Sequence, residues 1–155
     1  MSSADPQVSG PTLWAAALVT RDDDLLMVRL GHGPAGGVWD VPRVPVRVGR
    51  TLAEAVVEAL EEHAGMPDSL CGPFEGWQEI IGPPEGPHEV VMYFRAVVIA
   101  DETDDTRART PARTVGNGGT PAEVSWISVY QVPELATRDG LVEFLSDQSI
   151  IDTVV

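Results

Sequence analysis

The stretch WDVPRVPVRVGRTLAEAVVEALEEHAGM, from Trp39 to Met66, decides how the rest of the chain is read. It sets a Trp-x-x-Pro approach, a loop and a capped helix in a row. Thr51 followed three residues later by Glu54 is a capping-box pattern, in which each side chain satisfies an orphan backbone N–H of the first turn. Gly65 closes the helix, because a residue without a Cβ enters the left-handed conformation cheaply. Between these ends Leu52, Ala55, Val56, Ala59 and Leu60 recur at steps of three and four, which predicts one stripe for burial against a sheet.

The opposite face carries Glu54, Glu58, Glu61 and Glu62. Carboxylates three and four apart on a helix repel by roughly a few tenths of a kcal/mol per pair. Such a column therefore needs solvent, an arginine or a divalent cation. A solvated acidic face is the commoner outcome, so the acids alone do not announce a site.

The arrangement resembles the Nudix (MutT-like) hydrolase family, whose signature G-x5-E-x7-R-E-U-x-E-E-x-G-U, with U a bulky apolar residue, usually follows Trp-x-x-Pro-Gly. Trp39 and Pro42 match the approach, Leu60 the apolar position, Glu62 the first member of the Glu-Glu pair, and Gly65 and Met66 the end. The departures fall on the chemistry. Val44 stands at the opening Gly and Arg43 at its neighbour, Arg50 at the first Glu, Glu58 at the Arg, Ala59 at the next Glu and His63 at the last. In the family these glutamates hold Mg2+ or Mn2+, which polarise a diphosphate while water attacks phosphorus. Hard cations prefer oxygen, so Ala59 and His63 are expected to weaken the site, leaving Glu62 in register as the catalytic carboxylate. A displaced metal set of Glu58, Glu62 and His63 is the alternative, and a helix-end histidine favoured by the helix dipole is another reading of His63. Arg50 and Glu58 hold an acidic and a basic position with the signs exchanged, so the resemblance implies an ion pair between them.

Composition narrows the partners. A chain of 155 residues, 43% hydrophobic, suits one domain with its own core, residues 13–155, behind a disordered tail at 1–12. The formal charge of -14 argues against nucleic acid or an anionic membrane as a partner, while a cleft lined with arginines or metal still admits a small phosphate-containing ligand. Cys71 is the single cysteine, which leaves no intrachain disulfide and fits a reducing cytoplasm. No apolar run reaches the length that spans a bilayer. The resemblance also implies a homodimer.

Along the chain, Trp14–Thr20 and Leu25–Leu30 are read as a hairpin around Arg21–Asp24. Gly31–Gly37 reads as a loop without the context of a phosphate-binding one. Met66–Pro73 is expected to be a connection, Phe74–Ile81 a strand and Gly82–Pro87 a turn. His88–Ala100 is expected to be a central buried strand with Tyr93 and Arg95 on one side. A buried arginine needs an anion, so Arg95 is a candidate ligand contact or the partner of a helix glutamate. Residues 101–120 read as a long mobile loop. Glu123–Ser128 is expected to be a last strand, Pro133–Thr137 a short helix and Leu141–Val155 a C-terminal helix.

The resemblance implies an α/β fold, a Nudix-type α/β/α sandwich with a mixed β-sheet, and candidate substrate contacts at Arg29, Trp39, Arg43 and Arg95. Two functions remain. One is a family member with lost or impaired metal-dependent hydrolysis and a retained small-ligand cleft. The other is an active divalent-metal-dependent pyrophosphohydrolase, using Mg2+ or Mn2+, with Glu62 and a non-standard ligand set.

Overall fold

The computed structural model describes residues 10–30, 37–66, 68–82, 88–99, 113–117 and 120–151. Residues 1–9 of the expected tail, the Gly-rich loop at 31–36, the turn at 83–87 and all of 101–112 lie outside these residues. Along the described chain run β1 (Thr12–Leu18), β2 (Thr20–Arg21), β3 (Asp24–Leu30), β4 (Trp39–Asp40) and β5 (Arg43–Pro45). Helix α1 (Leu52–Ala64), β6 (Ser69–Ile81), β7 (His88–Val98), β8 (Arg113–Asn117) and β9 (Thr120–Ser128) follow. A 3-10 turn (Val132–Glu134) and helix α2 (Leu141–Asp147) complete the order.

The strands form two sheets. One is mixed, in the order β5-β1-β7-β6, with β1 parallel to β7 and antiparallel to β5. The second runs β2-β3-β9-β8, with β4 paired to β3. Side chains alternate across a strand, so β1, β3, β7 and β9 each supply two cores. Ala15, Ala17, Leu26, Val28, Phe94, Ala96 and Val124 meet Ala55, Val56, Ala59, Leu60 and Ala64 of α1. Ala16, Leu18, Leu25, Met27, Val91, Tyr93 and Ile127 meet Leu141, Phe144 and Leu145 of α2. This is the helix-sheet-helix layering and mixed sheet expected from the resemblance.

Helix α1 has the ends its sequence specifies. Thr51 accepts a hydrogen bond from the Glu54 N–H at 3.0 Å, Glu54 accepts one from the Thr51 N–H at 3.0 Å, and Gly65 sits at φ 68°. Its buried side is the forecast stripe, extended to Ala64, with Leu52 half-buried.

Several boundaries differ. Residues Trp14–Thr20 do not form a hairpin with β3, because the chain changes sheet at Val19 and only the short β2 pairs with β3. Ser69–Pro73 is strand and not connection: β6 starts at Ser69 and absorbs Gly72 and Pro73 in register shifts between Cys71 and Gly76. The loop expected over 101–120 ends early, since Arg113–Asn117 pairs with β9 as β8. In place of the helix expected over Pro133–Thr137 there is a 3-10 turn, Val132–Glu134, and the C-terminal helix stops at Asp147. Among the described residues no helix is long and apolar enough to cross a membrane.

Candidate functional site

The acidic face of α1 is where the resemblance places chemistry. Glu58 is held by Arg47 from the loop before the helix, with Nη2 to Oε2 at 3.2 Å, and its side chain is only 11% exposed. The expected partner, Arg50, is therefore replaced by Arg47. One residue position in a loop changes the direction of a side chain completely, and sequence spacing outside a regular element does not determine it. Glu62, one turn on, shares a hydrogen bond with Glu58. Partial burial, that hydrogen bond and the Glu58 charge all push its carboxyl above the usual range, while Arg47 pulls it down.

His63 has a buried Nδ1 without a hydrogen-bond partner, and burial lowers its basicity against the opposing pull of Glu58. Ala59 is fully buried and brings no donor. Tested against a hard divalent cation, this set does not fit: one carboxylate is paired with an arginine, only Glu62 is left as a further oxygen donor, and the other two positions offer an imidazole and a methyl group. Among the described residues no group of three or more His, Cys, Asp or Glu is arranged to hold a metal ion.

The four candidate substrate contacts lie on the other side of the sheets. Arg43 is in register with Ala16, Trp39 packs against the α2 core, Arg29 pairs with Trp39, and Arg95 shares the side of Tyr93. Glu58, Glu62 and His63 belong to α1, on the opposite side, so the seven residues do not converge on one point.

Each of these arginines has an acid partner. Arg29 bonds Glu123 across the β3–β9 pair and lies 5.4 Å from the Trp39 ring centre. Arg43 donates to Asp40 at 3.0 Å, approaches Glu89 at 3.5 Å and covers the Trp14 ring at 4.1 Å. Arg95 donates to Glu75 of the neighbouring strand at 3.0 Å and to Thr20 at 3.3 Å, so its partner is a strand glutamate and not one from the helix.

A polar network on that same side escaped sequence reasoning. Asp40 accepts from the Val41 N–H at 2.7 Å, from Arg43 and from Arg138 Nε at 2.8 Å. Arg138 continues to the Tyr93 hydroxyl at 2.5 Å and to Gln78 Oε1 at 3.4 Å, Tyr93 donates to Gln78 at 2.8 Å, and Gln78 donates to the Gly140 carbonyl at 2.8 Å. Asp40 and Tyr93 outweigh the burial of Arg138 and raise its basicity further. Gly140 is required here: φ is 86°, and a Cβ would stand 2.7 Å from Gln78 Nε2. No local motif announces a contact between residues 98 apart in sequence, such as Asp40 and Arg138.

Burial also raises the Tyr93 hydroxyl, against the pull of Arg138. A folded state that holds a proton more tightly than the unfolded chain loses stability as pH rises past the unfolded value. The protein is therefore expected to weaken steadily above about pH 10. Cys71, also raised by burial, contributes in the same direction. In a Cys71→Ser background, urea midpoints at pH 9 and pH 11 should differ strongly with Tyr93 in place and less in Tyr93→Phe.

A groove of about 380 Å3 lies between the outer face of α1 and the start of β6, floored by Ala53, Val57, Leu70 and Cys71 and rimmed by Arg50 and the α1 acids.

No protein-family model and no curated protein matches the sequence. Solved structures do match. A NUDIX hydrolase from Nitrosomonas europaea superposes with a TM-score of 0.72 at 17% identity, over 90% of this chain and 88% of that one. The NUDIX domain of Shewanella oneidensis NrtR, solved with ADP ribose, gives 0.64 at 15% identity, over 94% and 91%. An ADP-ribose pyrophosphatase from Streptococcus suis gives 0.60 at 17% identity, over 91% and 89%. At this level of identity the likeness is one of architecture, and the mixed sheet flanked by α1 and α2 has the fold of the Nudix hydrolases.

Proposed function

We propose that this chain is a Nudix-fold protein with lost or impaired metal-dependent hydrolysis that keeps a cleft for a small phosphate-containing ligand. The observation carrying the first part is the state of α1. Glu58 is committed to Arg47, Glu62 is half-buried against Glu58, which pushes its carboxyl above the usual range, and Ala59 is sealed in the core. Mg2+ demands several oxygen donors in near-octahedral geometry, and these positions supply too few.

For the ligand, Arg29 and Trp39 are the best-placed pair. The Arg29 side chain is 37% exposed beside a half-buried indole, and a ring next to a guanidinium suits a flat heterocycle carrying phosphate. Arg43 and Arg95 contribute by fixing the strands around that pair, each through its own carboxylate. The ADP ribose bound to a domain of the same fold is in keeping with this ligand class.

The second reading, an active hydrolase using Glu62 with Glu58 and His63, is favoured by one feature: the Glu58 and Glu62 carboxyls already meet, and a cation placed there would relieve their repulsion. A titration with Mg2+ and Mn2+ separates the two, combined with phosphate or nucleotide release from a panel of nucleoside diphosphate derivatives. Melting shifts with ADP ribose, without turnover and lost in Arg29→Ala, are the expected result. Release that chelator abolishes and that Glu62→Ala removes would establish the hydrolase instead.

A further inference from the structure

The groove between the outer face of α1 and the start of β6 lies apart from the Arg29–Trp39 cleft, and none of its lining residues belongs to that pair. Its volume, about 380 Å3, is in the range of small-molecule sites. On the strand side Ser69 and Cys71 stand opposite Val98 and Ala96, on the face turned to α1, and Leu70 beside them is 59% exposed. On the helix side Ala53 is exposed and Val57 half-buried. The middle of the groove is therefore aliphatic and open.

Its rim carries the charge. Glu54, Glu58 and Glu61 follow one another along α1 at steps of four and three, with Arg50 one turn before Glu54. Glu58 is already paired with Arg47 and only 11% exposed, so the exposed Glu54 and Glu61 set the ends of the row. At 1.5 Å of rise per residue those ends stand about 10 Å apart along the helix. The Thr51 N–H takes up Oε1 of Glu54, and a carboxylate has room for further donors. In the same groove the Ser69 hydroxyl oxygen is buried without a hydrogen-bond partner, although buried polar atoms ordinarily have one.

A ligand that answers these features together is apolar in the middle and cationic at its ends. A bare metal ion would leave the aliphatic floor in water, a hydrocarbon would leave the rim acids unanswered, and a phosphate would meet a row of carboxylates. We infer that the groove binds a linear aliphatic amine with an ammonium group at each end, one at Glu54 and one at Glu61, its methylenes lying across Val57, Leu70 and Cys71. One ammonium donates to Ser69 Oγ as well. Arg50 repels such a ligand and confines it to the span from Glu54 to Glu61. The formal charge of -14 draws it in from a distance.

Cys71 is the single cysteine and it lines the groove, so its reactivity reports occupancy. The full chain is treated with dithiodipyridine, an uncharged reagent for thiols, at matched ionic strength with diaminooctane, diaminobutane, octanediol or Mg2+. Diaminooctane should slow the reaction to a saturating limit, about tenfold at roughly ten times its Kd, because only the unoccupied fraction reacts. Diaminobutane has the same charge but falls short of the span, and should protect less. Octanediol and Mg2+ should leave the rate unchanged. Ala53→Arg, at an exposed helical position that takes arginine with little loss of stability, should abolish the protection, and Glu61→Gln should weaken it. Melting temperatures near that of the unmodified protein will show that both variants fold. A rate that does not fall with diaminooctane would overturn the proposal. So would equal protection by octanediol or by Mg2+, or protection undiminished in both variants.

Discussion

Asp40→Ala is expected to cost about 3–5 kcal/mol of folding stability, since it strands the buried cation of Arg138 and removes an acceptor from Arg43 and from the Val41 N–H. The loss is large because the group left behind cannot discharge: burial raises the cost of its charge, and its basicity stays high all the same. Asp40→Asn keeps an acceptor and the shape, and should lose clearly less. Urea denaturation with an unchanged slope and a lowered midpoint would show the effect as one of stability. In a double-mutant cycle with Arg138→Ala, the pair should cost much less than the sum of the single changes. Additive losses would mean that Arg138 finds its anion elsewhere.

Ala59→Glu together with His63→Glu is expected to give a protein whose folding depends on magnesium. Ala59 is fully buried beside Glu62, so a carboxylate there without a cation is unpaired and costs several kcal/mol by desolvation alone. Three carboxylates at positions 59, 62 and 63 give a hard cation the oxygen donors the natural chain lacks. At magnesium concentrations near a hundred times Kd the gain should be about 2.7 kcal/mol, visible as a melting temperature that climbs with added Mg2+. The unmodified protein should show no such climb. A double variant equally unstable with and without Mg2+ would show that these positions do not face a common ion, and would count against the correspondence on which the functional reading rests.

Local chemistry was legible wherever neighbours in sequence decide the outcome. The Thr51–Glu54 box, the left-handed Gly65 and the apolar stripe of α1 need only one turn of chain to be determined. The β-branched run of β7 likewise forms the interior strand its composition demands. Errors arose where the deciding partner was distant. Trp14–Thr20 has the same strand pattern whichever sheet it joins, so the sheet change at Val19 left no trace in periodicity. Gly72 and Pro73 read as breakers because the tolerance of an edge strand for both is a property of the sheet and not of the segment. The acceptor on Arg95 proved to be Glu75 on an adjacent strand, and the cation on Glu58 proved to be Arg47. In each case the charge requirement was readable and the identity of the partner was not. The Asp40–Arg138–Tyr93–Gln78 network was wholly invisible, because its members are scattered over the chain and none forms a motif alone.

The crossing at Val19 also bears on how the molecule breathes. A single residue separates β1, in the interior of one sheet, from β2 and β3 of the other, and the Leu26 N–H donates to the Val19 carbonyl at 2.9 Å. Neither layer of strands can swing outward without dragging that joint along, so amide protons deep in the two sheets should exchange with solvent at matching rates, released by one shared opening event rather than by two.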